Sequence, residues 1–355
     1  MDWIDLLFVA TLVLAVIGIR PIGRNNCMNE AYLSIDTGKN LRGFFAVVVV
    51  CHHLAQRVDA GFLFQQFNHV GHLCVAVYFF LSGYGLQRSH MASESYKKHF
   101  LQRRLPKILL PYVTVTALFW VENMLNGVVY SLTDILWAIL TGSPIVSFSW
   151  YIISICCFYI AYWVFMHICE KNNPMMILCA GLWFVVYLAI CMLLGYGGWW
   201  YNTPQLLILG IAWACYEKEI VNRLTIHYKK AVWITAAAFI VAFILKSIIP
   251  LTPFPLLFTM LTGIFFVALV MLLSLKATIG NPVLRFLGDI SLETYLIHGL
   301  WIEATRSNML YIKNDSLWAF VVVAGSVLSA FILHLAFSGI IKCMDRLGKK
   351  KTIKH

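Results

Sequence analysis

Apolar runs separated by short polar gaps recur along the whole 355-residue chain. Roughly 17 to 25 apolar residues are needed for an α-helix to cross about 30 Å of hydrocarbon. Shorter runs must extend into flanking polar residues or be shielded by neighbouring helices. The pattern predicts eleven spans, centred on Leu6–Ile19, Phe44–Gln56, Val70–Leu86, Ile108–Met124, Trp150–Ile168, Met176–Leu194, Leu206–Tyr216, Val232–Ile249, Leu256–Leu275, Ile290–Ile302 and Trp318–Ile341. The short amphipathic segment Ser131–Thr141 is predicted to be an interfacial helix.

The composition excludes a soluble protein, because 61% of the residues are hydrophobic and only 12% are charged. No internal repeat and no long linker divides the chain. We therefore predict an all-α polytopic membrane protein with one membrane domain over residues 1–355. Within it, residues 1–41 form an additional helix and a cytoplasmic connector, residues 42–343 a ten-helix core, and residues 344–355 a basic cytoplasmic tail.

The basic residues predict the orientation of the spans. Of the 27 Lys and Arg residues, 23 lie in the alternate gaps that include the C-terminal tail. Lys and Arg accumulate on the cytoplasmic side, so the N-terminus is predicted outside and the C-terminus in the cytoplasm. This bias accounts for most of the +11 net charge, and it indicates no nucleic-acid partner. The ten cysteines fall mostly inside spans without metal-like spacing, so neither a disulfide framework nor a metal site is predicted.

Three ionisable residues lie within or at the mouth of predicted spans: Arg42, His53 and His298. Burying a charge at the bilayer centre costs about 2.5 to 3.5 kcal/mol, so such residues are candidates for function. Eleven helical steps place His53 within about 20° of the face of Arg42 and roughly 16 Å along the helix, whereas His52 points about 100° away. One interpretation is an anion anchor at Arg42 and a base at His53. The other is a border arginine and a hydrogen-bonded interhelical histidine.

Two further patterns concern polar groups near the membrane. Ser291, Tyr295 and His298 occupy positions i, i+4 and i+7, so they share one helical face that should meet protein or a cavity. The cytoplasmic segment that contains Arg103 and Arg104 is compatible with phosphate binding, but a simple role in membrane orientation is the commoner explanation for such a cluster.

The segments RGFFAVVVVCHH, VYFFLSGYGL, RRLPKILLPY, SWYI and LGDISLETYLIH resemble, in order and spacing, the motifs of acyltransferase family 3 membrane proteins. The resemblance runs from the second span to the end, and leaves the first helix as an addition to a ten-span core. It implies the roles of nine residues: His53 catalytic; Arg42, Arg103, Arg104 and Lys107 in donor binding; and Ser82, Trp150, Tyr295 and His298 in acceptor binding or relay. Two positions depart from the family pattern, Lys107 where arginine is common and Ile155 where many members have glutamate.

The resemblance also implies an O-acyltransferase that moves an acyl group, most often acetyl, from acyl-CoA to a hydroxyl group. No cofactor is expected to be permanently bound. The implied partners are acyl-CoA, an envelope glycan or lipid-linked sugar, and the lipid bilayer, with the protein in the bacterial cytoplasmic (inner) membrane. The competing hypothesis is a transporter or polysaccharide-export component that uses buried histidines for proton coupling. A structural scaffold without chemistry is a third possibility.

The predicted orientation is tested by single cysteine substitutions in gaps on opposite sides. Ser93→Cys should react with a membrane-impermeant maleimide only from the cytoplasmic side, and Ser131→Cys only from outside, because Lys and Arg resist translocation. Labelling of intact cells is compared with that of inverted vesicles, with the parent protein as the control. The reverse labelling pattern would refute the orientation.

Overall fold

The computed structural model describes residues 2–22, 28–141, 145–146, 148–249 and 253–352. Fourteen α-helices lie in these ranges. In chain order they are α1 (Asp5–Gly18), α2 (Ile35–Ala55), α3 (Gly71–Ala92), α4 (Phe100–Leu125), α5 (Leu132–Thr141), α6 (Trp150–Ile168), α7 (Asn173–Leu193), α8 (Gln205–Cys215), α9 (Glu217–Ile226), α10 (Tyr228–Ile248), α11 (Phe254–Lys276), α12 (Pro282–Asp289), α13 (Ser291–Ala304) and α14 (Asp315–Thr352). Two short strands, β1 (Ile19–Pro21) and β2 (Ala277–Ile279), are also present, with 3-10 turns at Phe64–His69, Glu94–His99 and Gly198–Trp200.

Each of the eleven predicted spans coincides with one of these helices, and the segment predicted to be interfacial forms α5. Apolar segments take this form because the bilayer core offers no water to satisfy backbone N–H and C=O groups, and a helix satisfies them internally. The predicted C-terminal tail continues α14 to Thr352, and its last residues, 353–355, lie outside the described ranges.

Six helical segments among the described residues are long and apolar enough to cross a membrane: Glu94–Leu125, Trp150–Ile168, Asn173–Leu193, Tyr228–Ile248, Phe254–Lys276 and Asp315–Ile340. The chain is therefore an all-α polytopic membrane protein. Helices α2 and α3 are similarly long, at 21 and 22 residues, but they carry more polar side chains. The total of eleven crossings stays a prediction.

Polar contacts join the ends of α1 and α11 and connect the first turns of α2 to α12. Strands β1 and β2 pair in antiparallel fashion where α1 and α11 end. The Asn29 side chain donates hydrogen bonds to the carbonyl groups of Ser274 and Ala277, at 3.0 and 3.1 Å. Near the start of α2, the Lys39 ammonium group lies 2.6 Å from the Asp289 carboxylate. These contacts fix the direction in which α2 enters the helix bundle.

Helices α3 and α8 pack with their backbones in contact. A methyl group added at Gly83 would lie 2.0 Å from the Leu207 carbonyl oxygen, and one added at Gly210 would lie 2.2 Å from the Phe80 carbonyl oxygen. Only glycine permits this separation, and small residues are enriched where membrane helices pack closely. The small residues of the VYFFLSGYGL segment thus mark a helix contact, and α3 continues through them without a break.

Helices α2 and α12 repeat the same arrangement. A methyl group at Gly43 would lie 2.2 Å from the Leu284 carbonyl oxygen, and one at Gly288 would lie 2.1 Å from the Lys39 carbonyl oxygen. Arg42 directly precedes Gly43 in the chain, just as Ser82 precedes Gly83. Two predicted site residues therefore lie beside the closest helix contacts.

These contacts predict that Gly83→Ala destabilises the protein by about 1 to 3 kcal/mol or more, since overpacking against backbone cannot be relieved by a rotamer change. The measurement is the melting temperature of the purified protein in detergent. Gly85→Ala is the matched control, because Gly85 lies two residues along the same helix with no neighbouring atom within 4 Å of an added methyl group. Equal melting temperatures of the two variants would contradict the close contact.

Candidate active site

Helix α2 places Arg42 and His53 on one face of the bundle interior. Eleven residues separate them, which corresponds to roughly 16 Å along the helix axis. Arg42 lines two cavities, and His53 lines a third. We call these the arginine cavity, the middle cavity and the histidine cavity.

The arginine cavity has a volume of about 810 Å³ and contains the guanidinium-bearing residues Arg42, Arg88 and Arg104. Arg104 donates a hydrogen bond to the Tyr96 hydroxyl group at 3.1 Å, and its guanidinium group lies 5.9 Å from the centre of the Tyr96 ring. Within the described part of the chain, no carboxylate forms an ion pair with Arg42 or Arg104. Unpaired guanidinium groups in a cavity favour an anionic ligand, because they bind oxyanions through two parallel hydrogen bonds.

Arg88 is held differently, by an ion pair with Glu217 at 3.5 Å. The same carboxylate accepts hydrogen bonds of 2.8 Å from the hydroxyl groups of Tyr32 and Tyr84. The indole N–H of Trp213 in turn donates to the Tyr32 hydroxyl group at 2.7 Å. This network joins α3 to α9 and keeps Arg88 at the edge of the cavity.

The middle cavity, of about 200 Å³, shares Arg42 and Arg104 with the arginine cavity. Its remaining wall is mostly aromatic and hydroxyl-bearing, formed by Tyr78, Ser82, Tyr151, Tyr159, Ser291 and Tyr295, with the aliphatic residues Ile108, Ile152, Ile155 and Leu292. Ile155, one of the two positions that depart from the resemblance described above, is an apolar wall residue of this cavity. The cavity offers hydroxyl groups and the two guanidinium groups that it shares with the arginine cavity.

The histidine cavity has a volume of about 490 Å³ and shares Tyr295 with the middle cavity. Polar groups come from His52, His53, Gln56, His72 and Asn202, and aromatic surface from Phe148, Trp150, Trp199 and Tyr295. The three cavities therefore follow one another through the bundle, from clustered arginines to clustered histidines, with Tyr295 between the last two.

In the histidine cavity, His53 lies against the rings of Phe148 and His298. Its ring centre is 3.8 Å from that of Phe148 and 5.1 Å from that of His298. His298 is fully buried and its Nδ1 donates to the Tyr295 carbonyl oxygen at 2.6 Å, whereas its Nε2 has no hydrogen-bond partner among the described residues. The Tyr295 hydroxyl group donates to the carbonyl oxygen of Phe148, whose backbone is in the left-handed region with φ of 68°. A strained residue held this way is typical of functional sites.

Comparison with known protein families identifies the family to which the chain belongs. The family model of acyltransferase family 3, described as an acyltransferase domain, matches residues 34–335. The chain belongs to acyltransferase family 3. The match in this acyltransferase begins after α1 and includes α2 to α13. No curated protein and no solved structure matches the chain.

The structure of the acyltransferase brings most of the predicted site residues together. Arg42, Ser82, Trp150, Tyr295, Arg104 and His53 line the three cavities, and His298 stacks against His53. Arg103 and Lys107 are exposed on other faces of α4 and line none of the three. The basic motif therefore contributes one guanidinium group, from Arg104, to these cavities.

Several lining residues of the acyltransferase were not predicted from the sequence. Arg88 has a local signal, since it follows the VYFFLSGYGL segment on the same helix. Gln56 has another, because it lies three residues after His53 and four after His52, where helical side chains meet. Trp199 and Asn202 come from a segment with no local signal, because only tertiary folding brings them to the histidines.

Proposed function

We propose that this protein is an acyl-CoA-dependent O-acyltransferase that transfers an acyl group, most often acetyl, to a hydroxyl group of a cell-envelope carbohydrate. The observation that carries the proposal is the succession of cavities from two unpaired arginines to a group of histidines. Membership of acyltransferase family 3 supports acyl transfer. The donor and the acceptor are inferred from the chemical groups that line the cavities.

The arginine cavity suits the nucleotide end of the donor. Coenzyme A carries several negative charges, which are costly to place in hydrocarbon and favourable beside guanidinium groups. Arg42 and Arg104 have no acidic partner among the described residues, so both are available to phosphate. Arg88 adds a third positive charge at the rim, partly offset by Glu217.

The middle cavity suits the flexible pantetheine arm. The arm is neutral and carries amides and a hydroxyl group, and the tyrosine and serine hydroxyl groups of the wall are appropriate partners for such groups. The roughly 16 Å between Arg42 and His53 is a distance that a long arm can bridge. The thioester would then reach the boundary at Tyr295.

His53 is proposed as the general base. The acceptor oxygen attacks the thioester carbonyl carbon, so a carbon–oxygen bond forms as the carbon–sulfur bond breaks. A ring nitrogen of His53 takes the hydroxyl proton and passes it to the departing thiolate, which leaves as free coenzyme A. Tyr295, His298 and Ser82 are candidates for relay or acceptor binding. Trp150 offers an aromatic surface to a sugar ring in the histidine cavity.

The cellular setting follows from the predicted orientation. With the N-terminus outside, α1 crosses to the cytoplasmic side, and Arg42 near the start of α2 lies there, where acyl-CoA is made. The histidine cavity, further along α2, is then nearer the outer side. An envelope glycan or a lipid-linked sugar is then the acceptor, and the bacterial cytoplasmic membrane is the location. No permanently bound cofactor is proposed.

The alternative is a transporter or polysaccharide-export component that uses the buried histidines for proton coupling. Arg42 and Arg104, which have no acidic partner among the described residues, favour the transferase, since a proton-coupled carrier has no need of a phosphate site. The two functions differ in product, because a transporter releases its substrate chemically unchanged. Incubation of purified protein with radiolabelled acetyl-CoA and envelope glycan extract separates them, and label that stays with the nucleotide would count against the transferase.

The proposal predicts that His53→Ala lowers the rate of transfer by about a hundredfold to ten-thousandfold, which is the usual contribution of a general base. Donor affinity and melting temperature should stay close to those of the parent protein, since a base acts on the transition state more than on ground-state binding. Arg42→Ala should instead raise the Michaelis constant for acetyl-CoA. All three quantities are measured on the same preparations. Near-normal transfer by His53→Ala would exclude this mechanism.

The geometry further predicts that Arg104→Glu weakens the binding of acetyl-CoA and that Arg103→Glu does so far less. The two positions are adjacent and carry the same charge change, but only Arg104 lines the arginine cavity. Binding is measured by calorimetry at several salt concentrations. Affinity of the parent protein should fall as ionic strength rises, because phosphate contacts near the surface are screened. Equal losses in the two variants would indicate a general charge effect.

A further inference from the structure

The histidine cavity contains a chain of hydrogen bonds that has one self-consistent direction. It starts at His52, whose Nδ1 lies 2.9 Å from the carbonyl oxygen of Phe67. A carbonyl oxygen can only accept, so Nδ1 of His52 carries a proton and donates it. In a neutral His52 ring, Nε2 then has a lone pair and must accept.

The next link is Gln56. Its Nε2 lies 3.3 Å from Nε2 of His52 and its Oε1 lies 3.1 Å from Nδ1 of His53. The lone pair of His52 requires the amide N–H₂ group on its side, which orients the amide and directs Oε1 toward His53. An amide oxygen can only accept, so Nδ1 of His53 is the protonated nitrogen. The Nε2 atom of His53 is thereby left with the lone pair. The opposite direction would need a doubly protonated, charged His52 in a largely apolar cavity.

The surrounding backbone holds the first two links in place. Gln56 caps the end of α2, and its backbone N–H bonds to the carbonyl oxygen of His52 at 3.2 Å. Gly71 leaves room for the His52 ring, because a methyl group there would lie 2.2 Å from its Cδ2 atom. The ring is therefore confined between Gly71, the Phe67 carbonyl group and Gln56.

We propose that His52 and Gln56 are positioning residues that keep His53 in the tautomer with Nδ1 protonated, so that its Nε2 is the basic atom. This proposal rests on the proposed function, in which His53 is the base. An imidazole without such a partner populates both tautomers, and only one of them has the lone pair on Nε2. The arrangement follows the general logic of a base oriented by a third group, with an amide as the immediate partner.

The first experiment reads the tautomer directly. The protein is labelled with ¹⁵N-histidine and studied by NMR in detergent micelles, and the His53 signals are assigned by their loss in His53→Gln. Two-bond correlations between ring nitrogens and carbon-bound protons distinguish the two tautomers. The expected result is a neutral His53 with the proton on Nδ1. A proton on Nε2 overturns the proposal, and this result is independent of any activity measurement.

The second experiment measures transfer from radiolabelled acetyl-CoA to envelope glycan extract by two variants. Gln56→Met has a side chain of similar length without a hydrogen-bonding amide, and we expect turnover to fall about tenfold, which is less than the hundredfold or greater loss expected when the base itself is removed. Gln56→Glu retains an acceptor for Nδ1 of His53 and should recover most of that loss. Gln66→Met is the control, because the Gln66 side chain is exposed and its hydrogen bond within the described structure goes to the Phe62 carbonyl group, close by in the chain.

The outcomes separate the two proposals. Full turnover in Gln56→Met, or equal losses in Gln56→Met and Gln56→Glu, overturns the positioning role. Near-normal turnover in His53→Ala overturns the proposed base, whatever tautomer the NMR experiment finds. Unchanged melting temperatures of the Gln56 variants exclude loss of folding as the cause of a lower rate.

Discussion

Direct contact between helix backbones at glycine is the constraint on which the rest of this structure depends. Lipid is as apolar as leucine, so membrane helices associate through close packing and polar contacts and not through the exclusion of water. Gly83 and Gly210 bring α3 against α8, and Gly43 and Gly288 bring α2 against α12. The cavities lie beside these contacts, with Arg42 and Ser82 adjacent to two of the glycines. The spacing between the helices around the cavities is therefore set at these glycines, where no side chain separates the two backbones.

The sequence was sufficient to predict the long apolar helices, because apolar runs of this length have one way to satisfy their backbone, and all eleven predicted spans are helical. The short helices α9 and α12 lie outside the predicted spans and were not predicted. It was also sufficient to place Arg42 and His53 on one stripe, since both belong to the same helix and the helical period relates them. It could not show which side of α4 meets the cavities, so Arg103, Arg104 and Lys107 were equivalent candidates until neighbouring helices were in place. His52 illustrates the same limit: the helical wheel turns it 100° from His53, yet Gln56 bridges the two rings.

The polar groups that line the three cavities differ from one cavity to the next. Guanidinium groups line the arginine cavity and part of the middle cavity, hydroxyl groups line the middle cavity, and imidazole rings line the histidine cavity. Such an arrangement suits a substrate that is itself charged at one end and reactive at the other. Each part of the substrate then meets groups that match it, and the charged part never has to leave its guanidinium partners. Membership of acyltransferase family 3 supports acyl transfer. In the proposed function, only the thioester end of acyl-CoA has to reach His53.

The small sheet formed by β1 and β2 restricts the number of times that the chain can cross the bilayer. The strands pair directly, so the ends of α1 and α11 lie at the same face of the membrane. The chain between Pro21 and Ala277 must therefore cross the bilayer an even number of times. The eight spans predicted in that interval satisfy this parity rule. Any assignment that demotes a single one of those helices to a surface element breaks the pairing, so short helices such as α8 can be removed from the membrane only in pairs.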